Sequence, residues 1–156
     1  MEKTNALRIL AGKKIACTAY SYDSEDGKID GLSVAQKIGK DPELVYKTLV
    51  TQGNSRSIYV FIVPVADELD LKKAAQAAGE KSVEMISAKD ILPLTGYVRG
   101  GCSPVGMKKS YRTFLEQSAK DLTNIVVSAG KIGLQMELAV LDLLKATNGR
   151  LADIRK

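Results

Sequence analysis

The alternation of apolar and polar positions breaks this chain into short elements of two kinds. "KKIACTAY" (13–20) predicts a first strand, and "YDSEDGKIDG" (22–31) is a polar loop. "LSVAQKIG" (32–39) places Leu32, Ala35 and Ile38 on one helical face, with Gly39 as its C-terminal cap. "DPELVYK" (41–47) opens a short turn or helix, with Asp41 as N-cap and Pro42 at the first helical position. "KTLVTQ" and "SIYVFIVPV" flank "GNSR" (53–56), which is a hairpin signal. The second run is apolar at every position from Ile58 to Val63, the mark of a central strand covered on both faces.

Downstream, "DLKKAAQAAG" (70–79) is the clearest helix, ending at Gly79. "KSVEMIS" (81–87) predicts a short strand, and "SAKDIL" (87–92) a capping box with Ser87 opposite Asp90. "RTFLEQS" (112–118) and the β-branched "NIVVSAG" (124–130) predict further strands. "LQMELAVLDLLKATNG" (134–149) is helical in its later part, with Leu138, Leu141, Leu144 and Lys145 near one stripe. Strands and helices mix without a regular βαβ alternation. The expected fold is therefore α/β of the α+β kind, with a mixed or largely antiparallel sheet and helices packed around it.

Composition narrows the chemistry. The chain has 156 residues, 45% of them hydrophobic and 26% charged, as expected for one soluble globular domain spanning 1–156. No apolar run reaches the roughly 20 residues of a membrane-spanning helix. "MEKTNALRILAGKK" lacks the apolar core of a secretion signal, so a cytoplasmic location is expected. The net charge is +5, spread over the length, which fits either a solvated basic surface or a face for a polyanion. There is no histidine, which removes imidazole base catalysis and every Ser-His or Cys-His arrangement. Cys17 and Cys102 lie far apart and have no histidine partners for zinc. No metal or cofactor is expected, and "GKIGLQ" (130–135) has the wrong spacing for a phosphate-binding glycine motif.

Two stretches can still carry chemistry. Lys47 stands inside the apolar run "LVYKTLV". It is either an ammonium reaching solvent from a sheet edge or a cation aimed into a cleft, where it binds phosphate or a developing oxyanion. "YVRGGCSPVGMKK" (97–109) combines glycines with Pro104. It is either a tight turn or a loop presenting bare backbone groups to a ligand. Cys102 within it has no activating base and is read as a small loop residue. Tyr20 ends the first strand, as a rim hydrophobe or as a hydroxyl donor to substrate.

"VYKTLV" (45–50), "PVADELDLKKAAQAAGEKSVEM" (64–85), "TGYVRGGCSPVGMKK" (95–109) and "VSAGKIGLQMELA" (127–139) occur together in this order. The chain closely resembles the bacterial YbaK/EbsC aminoacyl-tRNA deacylases, free-standing relatives of the editing domain inserted in bacterial prolyl-tRNA synthetases. The resemblance spans essentially the whole chain. It implies a barrel-like mixed sheet surrounded by helices. It also implies removal of a mischarged small amino acid from the acceptor end of tRNA, with cysteine on proline tRNA as the foremost case and alanine as the alternative. A non-catalytic RNA- or nucleotide-binding protein is the reading from another class. Prolyl-tRNA synthetase is an implied partner.

Residue by residue, Lys47 matches the family's key lysine. Gly100, Gly101, Ser103 and Pro104 belong to its G-x-x-x-P loop. Tyr20, Thr48, Ser128, Gly130 and Gln135 fall at substrate-binding positions. Two positions depart from the family pattern. Asp30 stands where many members carry an aromatic residue, and Gln135 where many carry Asp. An amide hydrogen-bonds but cannot act as a base. The chemistry remains feasible, because an aminoacyl ester is already activated and needs chiefly positioning and carbonyl polarisation. The nucleophile is then water or a thiol on the substrate itself, the latter releasing cysteine as a cyclic thioester.

Overall fold

The computed structural model describes residues 4–156. Its centre is the expected hairpin. β2 (Tyr46–Gly53) and β3 (Ile58–Pro64) pair antiparallel, from Tyr46 opposite Pro64 to Gln52 opposite Ile58. Glu80 braces the turn by accepting from the Ser55 amide (3.1 Å) and the Tyr59 hydroxyl (2.6 Å). Every residue of β3 from Tyr59 to Pro64 is buried, as its unbroken apolar run requires. β3 is buried because β5 (Arg112–Glu116) lies parallel along its far side and layers cover both faces. With β4 (Val83–Met85) and β8 (Arg150–Ala152), the sheet order is β4-β2-β3-β5-β8.

A second, antiparallel sheet has the order β1-β7-β6, from β1 (Cys17–Ser21), β7 (Leu134–Ala139) and β6 (Asn124–Lys131). The isolated bridge between Val45 and Val126 stitches the two sheets together. Between them lies a core that joins Tyr46 and Ile62 to Val127, Met136 and Leu138. On the opposite face of the five-stranded sheet, Tyr59, Phe61 and Val63 pack on Ala74, Ala75 and Ala78 of α3 (Leu71–Ala78). Asp70 caps that helix and Gly79 ends it in the left-handed conformation (φ 75°). The mixed, helix-covered sheet matches the expected class. The barrel does not close. β4 and β8 are three residues each, too short to carry the ladder onward into the other sheet.

Several element assignments need correction. α1 (Asn5–Gly12) was not expected, although Ala6, Leu7 and Leu10 give it a buried stripe and Thr4 caps it. Its terminal turn runs to Lys14 (φ 58°), so β1 starts at Cys17 rather than Lys13. In α2 (Gly31–Ile38) the buried residues are Val34 and Ala35, while Leu32 is 50% exposed. Segment 134–149 is a strand followed by α5 (Val140–Thr147). Leu138 therefore belongs to β7, Leu141 points to solvent, and Val140 and Leu143 are the buried pair. Ser87 precedes α4 (Ala88–Thr95), but its hydroxyl makes no capping bond, so the capping box is absent. β5 stops at Glu116, whose carboxylate accepts from the Ser118 amide (2.6 Å) and starts a 3-10 turn over Gln117–Asp121. β8 has too few residues to show a period.

Candidate functional site

The glycine-rich loop is held from behind. Tyr97 is buried, and its hydroxyl donates to the Val105 carbonyl (2.6 Å). Desolvation pushes that phenol up to about 12. Ser103 is fully buried and accepts from the Val105 amide (3.2 Å), and Pro104 is buried beside it. A Cβ on Gly101 would lie 2.7 Å from the Ile132 nitrogen and 2.9 Å from the Lys131 carbonyl carbon, so only glycine lets the loop rest on the β6–β7 turn. A Cβ on Gly130 would meet the Tyr97 ring at 2.8 Å. Gly101, Ser103, Pro104 and Gly130 thus build the loop's seat and do not line the cleft in front of it.

Gly100 and Cys102 do line that cleft, whose volume is ≈ 120 Å³. Of the other residues singled out in the sequence, Lys47, Thr48, Ser128 and Gln135 also line it. Ser128 and Gln135 are register partners on β6 and β7. Lys47 and Thr48 are consecutive, and consecutive strand residues face opposite ways. Both reach one cleft because it runs along an edge. β4 pairs with β2 only at Thr51–Gly53, so that side of β2 is uncovered further back. Ile29, Gly31 and Val34, around the start of α2, also line the cleft, and no sequence motif pointed to them.

Polar bonding is incomplete here. The Thr48 hydroxyl is buried without a hydrogen-bond partner, a condition it shares only with the Tyr22 hydroxyl among the described residues. Lys47 makes no hydrogen bond or ion pair with any described residue. The Cys102 thiol is pushed up to about 11 by burial, so it stays protonated and is no nucleophile. No carboxylate lines the cleft. Among the described residues no group of three or more His, Cys, Asp or Glu side chains could hold a metal ion.

Tyr20 lies opposite Gln135 in the β1–β7 register, but its side chain is occupied elsewhere. Its hydroxyl donates to Glu137 (2.7 Å), and Lys40 pairs with Glu137 (3.0 Å) while lying 5.2 Å above the Tyr20 ring. The Tyr20 hydroxyl, and then Lys40, hold the Glu137 carboxyl below its usual range. The two-residue spacing from Gln135 to Glu137 on one strand face was the available signal for this cluster. Asp30 is the N-cap of α2, accepting from the Ser33 amide (3.2 Å) and hydroxyl (2.7 Å). An aromatic residue at this position could not make these capping bonds.

The cleft combines Lys47, Thr48, Ser128 and Gln135 with apolar walls and Gly100 of the glycine loop. The chain belongs to the aminoacyl-tRNA editing domain family, whose model matches residues 32–146. At 44% identity over 98% of this chain and 93% of the relative, it is similar to the "Putative Cys-tRNA(Pro)/Cys-tRNA(Cys) deacylase EbsC" of Enterococcus faecalis. Among solved structures, one described as a "putative trans-editing enzyme for prolyl tRNA synthetase" aligns over the whole chain at TM-score 0.85 and 21% identity. Another, a hypothetical protein, aligns over 98% of this chain and 100% of its own at TM-score 0.88 and 18% identity. These two share the fold. No helix among the described residues is long and apolar enough to cross a membrane.

Proposed function

We propose that the protein is an aminoacyl-tRNA deacylase acting in trans, and that its foremost substrate is cysteine mischarged onto proline tRNA. Family membership and the curated relative support the activity. The observation that carries the site assignment is the pairing of an unpartnered lysine with an unpartnered buried hydroxyl in one small cleft.

Lys47 is the catalytic cation. Its ammonium polarises the ester carbonyl and stabilises the oxyanion that forms on attack. Thr48, Gly100, Ser128 and Gln135 hold the aminoacyl group, with the glycine allowing close backbone approach. Gly101, Ser103, Pro104 and Gly130 act through the loop they seat. Tyr20 acts at the rim, through Glu137.

The lining supplies no histidine, no carboxylate and no ionised thiol. A group that brings its own nucleophile suits such a site. The thiol of a mischarged cysteine attacks its own ester carbonyl, the bond to the tRNA oxygen breaks, and cysteine leaves as a cyclic thioester. A small cleft also favours a small side chain, the case in which synthetase binding discriminates poorly and a second sieve is needed. The basic chain offers phosphate contacts to tRNA, and prolyl-tRNA synthetase is the proposed partner for delivery.

The test is a panel of tRNAs charged with cysteine, alanine or serine. Cysteine release should be fastest, and serine, isosteric but with a weaker nucleophile, should be slow. Equal release of alanine and cysteine would show that water is the nucleophile. No release from any member would leave a binding protein.

A further inference from the structure

The far end of the glycine loop borders a basic groove that the cleft does not use. Two hollows of ≈ 190 Å³ each share Ser110, Tyr111, Thr113 and Thr147 as a common wall. One hollow adds Lys108 and Lys109, and the other adds Arg112 and Arg150. No carboxylate lines either of them, in a chain whose 23 Lys and Arg are nearly balanced by 18 Asp and Glu. A lining of one sign focuses its field on an anion. The cations are also not paired off. Lys109 and Arg150 are exposed and make no hydrogen bond or ion pair with any described residue. The Lys108 ammonium reaches the Pro93 carbonyl at 3.3 Å. Arg112 donates to the Ala78 carbonyl (3.1 Å), and its guanidinium lies 5.7 Å from the Tyr59 ring centre and 5.3 Å from that of Phe114. Held by those rings, it presents its remaining donors at little cost in side-chain freedom.

Position ties this groove to the cleft. Cys102 lines the cleft, and Pro104, two residues on, lines the groove. Two residues of chain span at most about 7 Å, so one loop forms a wall of both. A polyanion whose end enters the cleft has only that loop to cross. We propose that the groove holds backbone phosphates of the tRNA acceptor arm. This assignment rests on the deacylase reading of the cleft. Four cations spread over two joined hollows suit a row of phosphates better than one small anion. Phosphate contacts fix position and carry no sequence information. The groove therefore grips any tRNA alike and leaves the choice of amino acid to the cleft.

The test compares two double variants that remove equal charge. Lys109→Ala with Arg150→Ala empties part of the groove. Lys13→Ala with Lys145→Ala removes two lysines from a separate hollow that also contains Asp142. Binding of uncharged tRNA is read by fluorescence anisotropy between about 50 and 200 mM salt, with thermal melts confirming both folds. The groove pair should weaken binding on the order of tenfold at the low-salt end. It should also flatten the slope of log K against log salt by roughly 1.5, the worth of two phosphate contacts. The control pair should leave both quantities nearly unchanged. Turnover of a cysteinyl ester of adenosine alone, which carries no backbone phosphate, should be equal in all three proteins. Equal flattening by the two pairs would overturn the proposal, because diffuse net charge would then account for binding. So would a groove pair that slows the adenosine ester as much as it weakens tRNA binding. Groove-dependent binding to phosphatidylserine vesicles, with tRNA binding unaffected, would overturn it in favour of a lipid surface. Anisotropy needs no turnover. A wild type that binds tRNA through the groove but deacylates nothing would count against the deacylase reading and not against the groove.

Discussion

The two halves of β2 are built from similar residues and behave differently. In the second half, Thr51 is fully buried and donates to the Tyr59 carbonyl (3.1 Å), and β4 covers the strand. In the first half, neither the Thr48 hydroxyl nor Lys47 has a partner among the described residues, and no β4 residue pairs alongside. Lys37, on the neighbouring helix, is well supplied with acceptors. Lys37 donates to the Asp23 carbonyl (2.6 Å), Asp26 (2.8 Å) and the Lys28 carbonyl (2.9 Å). A buried polar group without a partner is destabilising by roughly 1–3 kcal/mol. The fold satisfies Thr51 and leaves the bonding capacity of Thr48, three residues away, unused by the described residues.

The widest test of that contrast is Lys47→Ala. Deacylation should fall by on the order of 10²-fold or more, the effect of losing one preorganised electrostatic contact, with an unchanged melting temperature. Lys47→Arg should be impaired as well, because a planar fork does not replace a compact ammonium. Single-turnover deacylation alongside thermal melts measures both. A folded Lys47→Ala enzyme at the wild-type rate would remove Lys47 from the mechanism.

Next in size is the loop's seat. Gly101→Ala forces a methyl against the backbone of the β6–β7 turn, and backbone cannot swing aside as a side chain can. Stability should drop by about 1–3 kcal/mol, the scale of overpacking, with activity lost through displacement of Gly100 and Cys102. Denaturant melts and deacylation rates check this. Unchanged values of both would mean the seat is looser than the contact distances indicate.

The two threonines then give opposite outcomes with one substitution. Thr51→Val should lower stability by about 1 kcal/mol and leave deacylation intact. Thr48→Val should leave stability unchanged or slightly raised, and lower activity about tenfold, the worth of one hydrogen bond to substrate. Matching behaviour of the two variants would erase the distinction between the strand's halves.

The smallest effect belongs to the rim cluster. The folded Glu137 carboxyl titrates below its ordinary value of 4.5. Its contribution to stability is complete above that value and is lost as pH falls through the depressed one. The contribution should be under about 1 kcal/mol, since the pair is partly exposed. Tyr20→Phe should reduce this acid-limb loss in urea melts taken below pH 5, and an unaltered limb would show that Lys40 alone holds the carboxylate.

The sequence by itself determined the elements with strong local signals. A short apolar run rich in β-branched and aromatic residues, set after a turn signal, reads as a covered strand, so β3 was legible. Asp70 and Gly79 mark both ends of α3 through their own backbone preferences. The resemblance carried the family and drew attention to Lys47, Thr48, Gly100, Ser128 and Gln135, which the fold gathers around one cleft. Tertiary structure decided what depends on distant neighbours. Gly101 and Gly130 look like Gly100 in sequence, but the β6–β7 turn and the Tyr97 ring turn them into packing positions. Tyr20 reads in sequence as a rim hydrophobe or a substrate donor, and only the fold shows its hydroxyl and ring engaged by Glu137 and Lys40, brought to it by the β1–β7 register and the chain after α2. α1 and β8 are short, and β8 exists because a parallel partner, β5, lies beside it. The open edge of β2 has no sequence signature at all. It arises where β4 stops, and that length is set by packing between segments far apart in the chain.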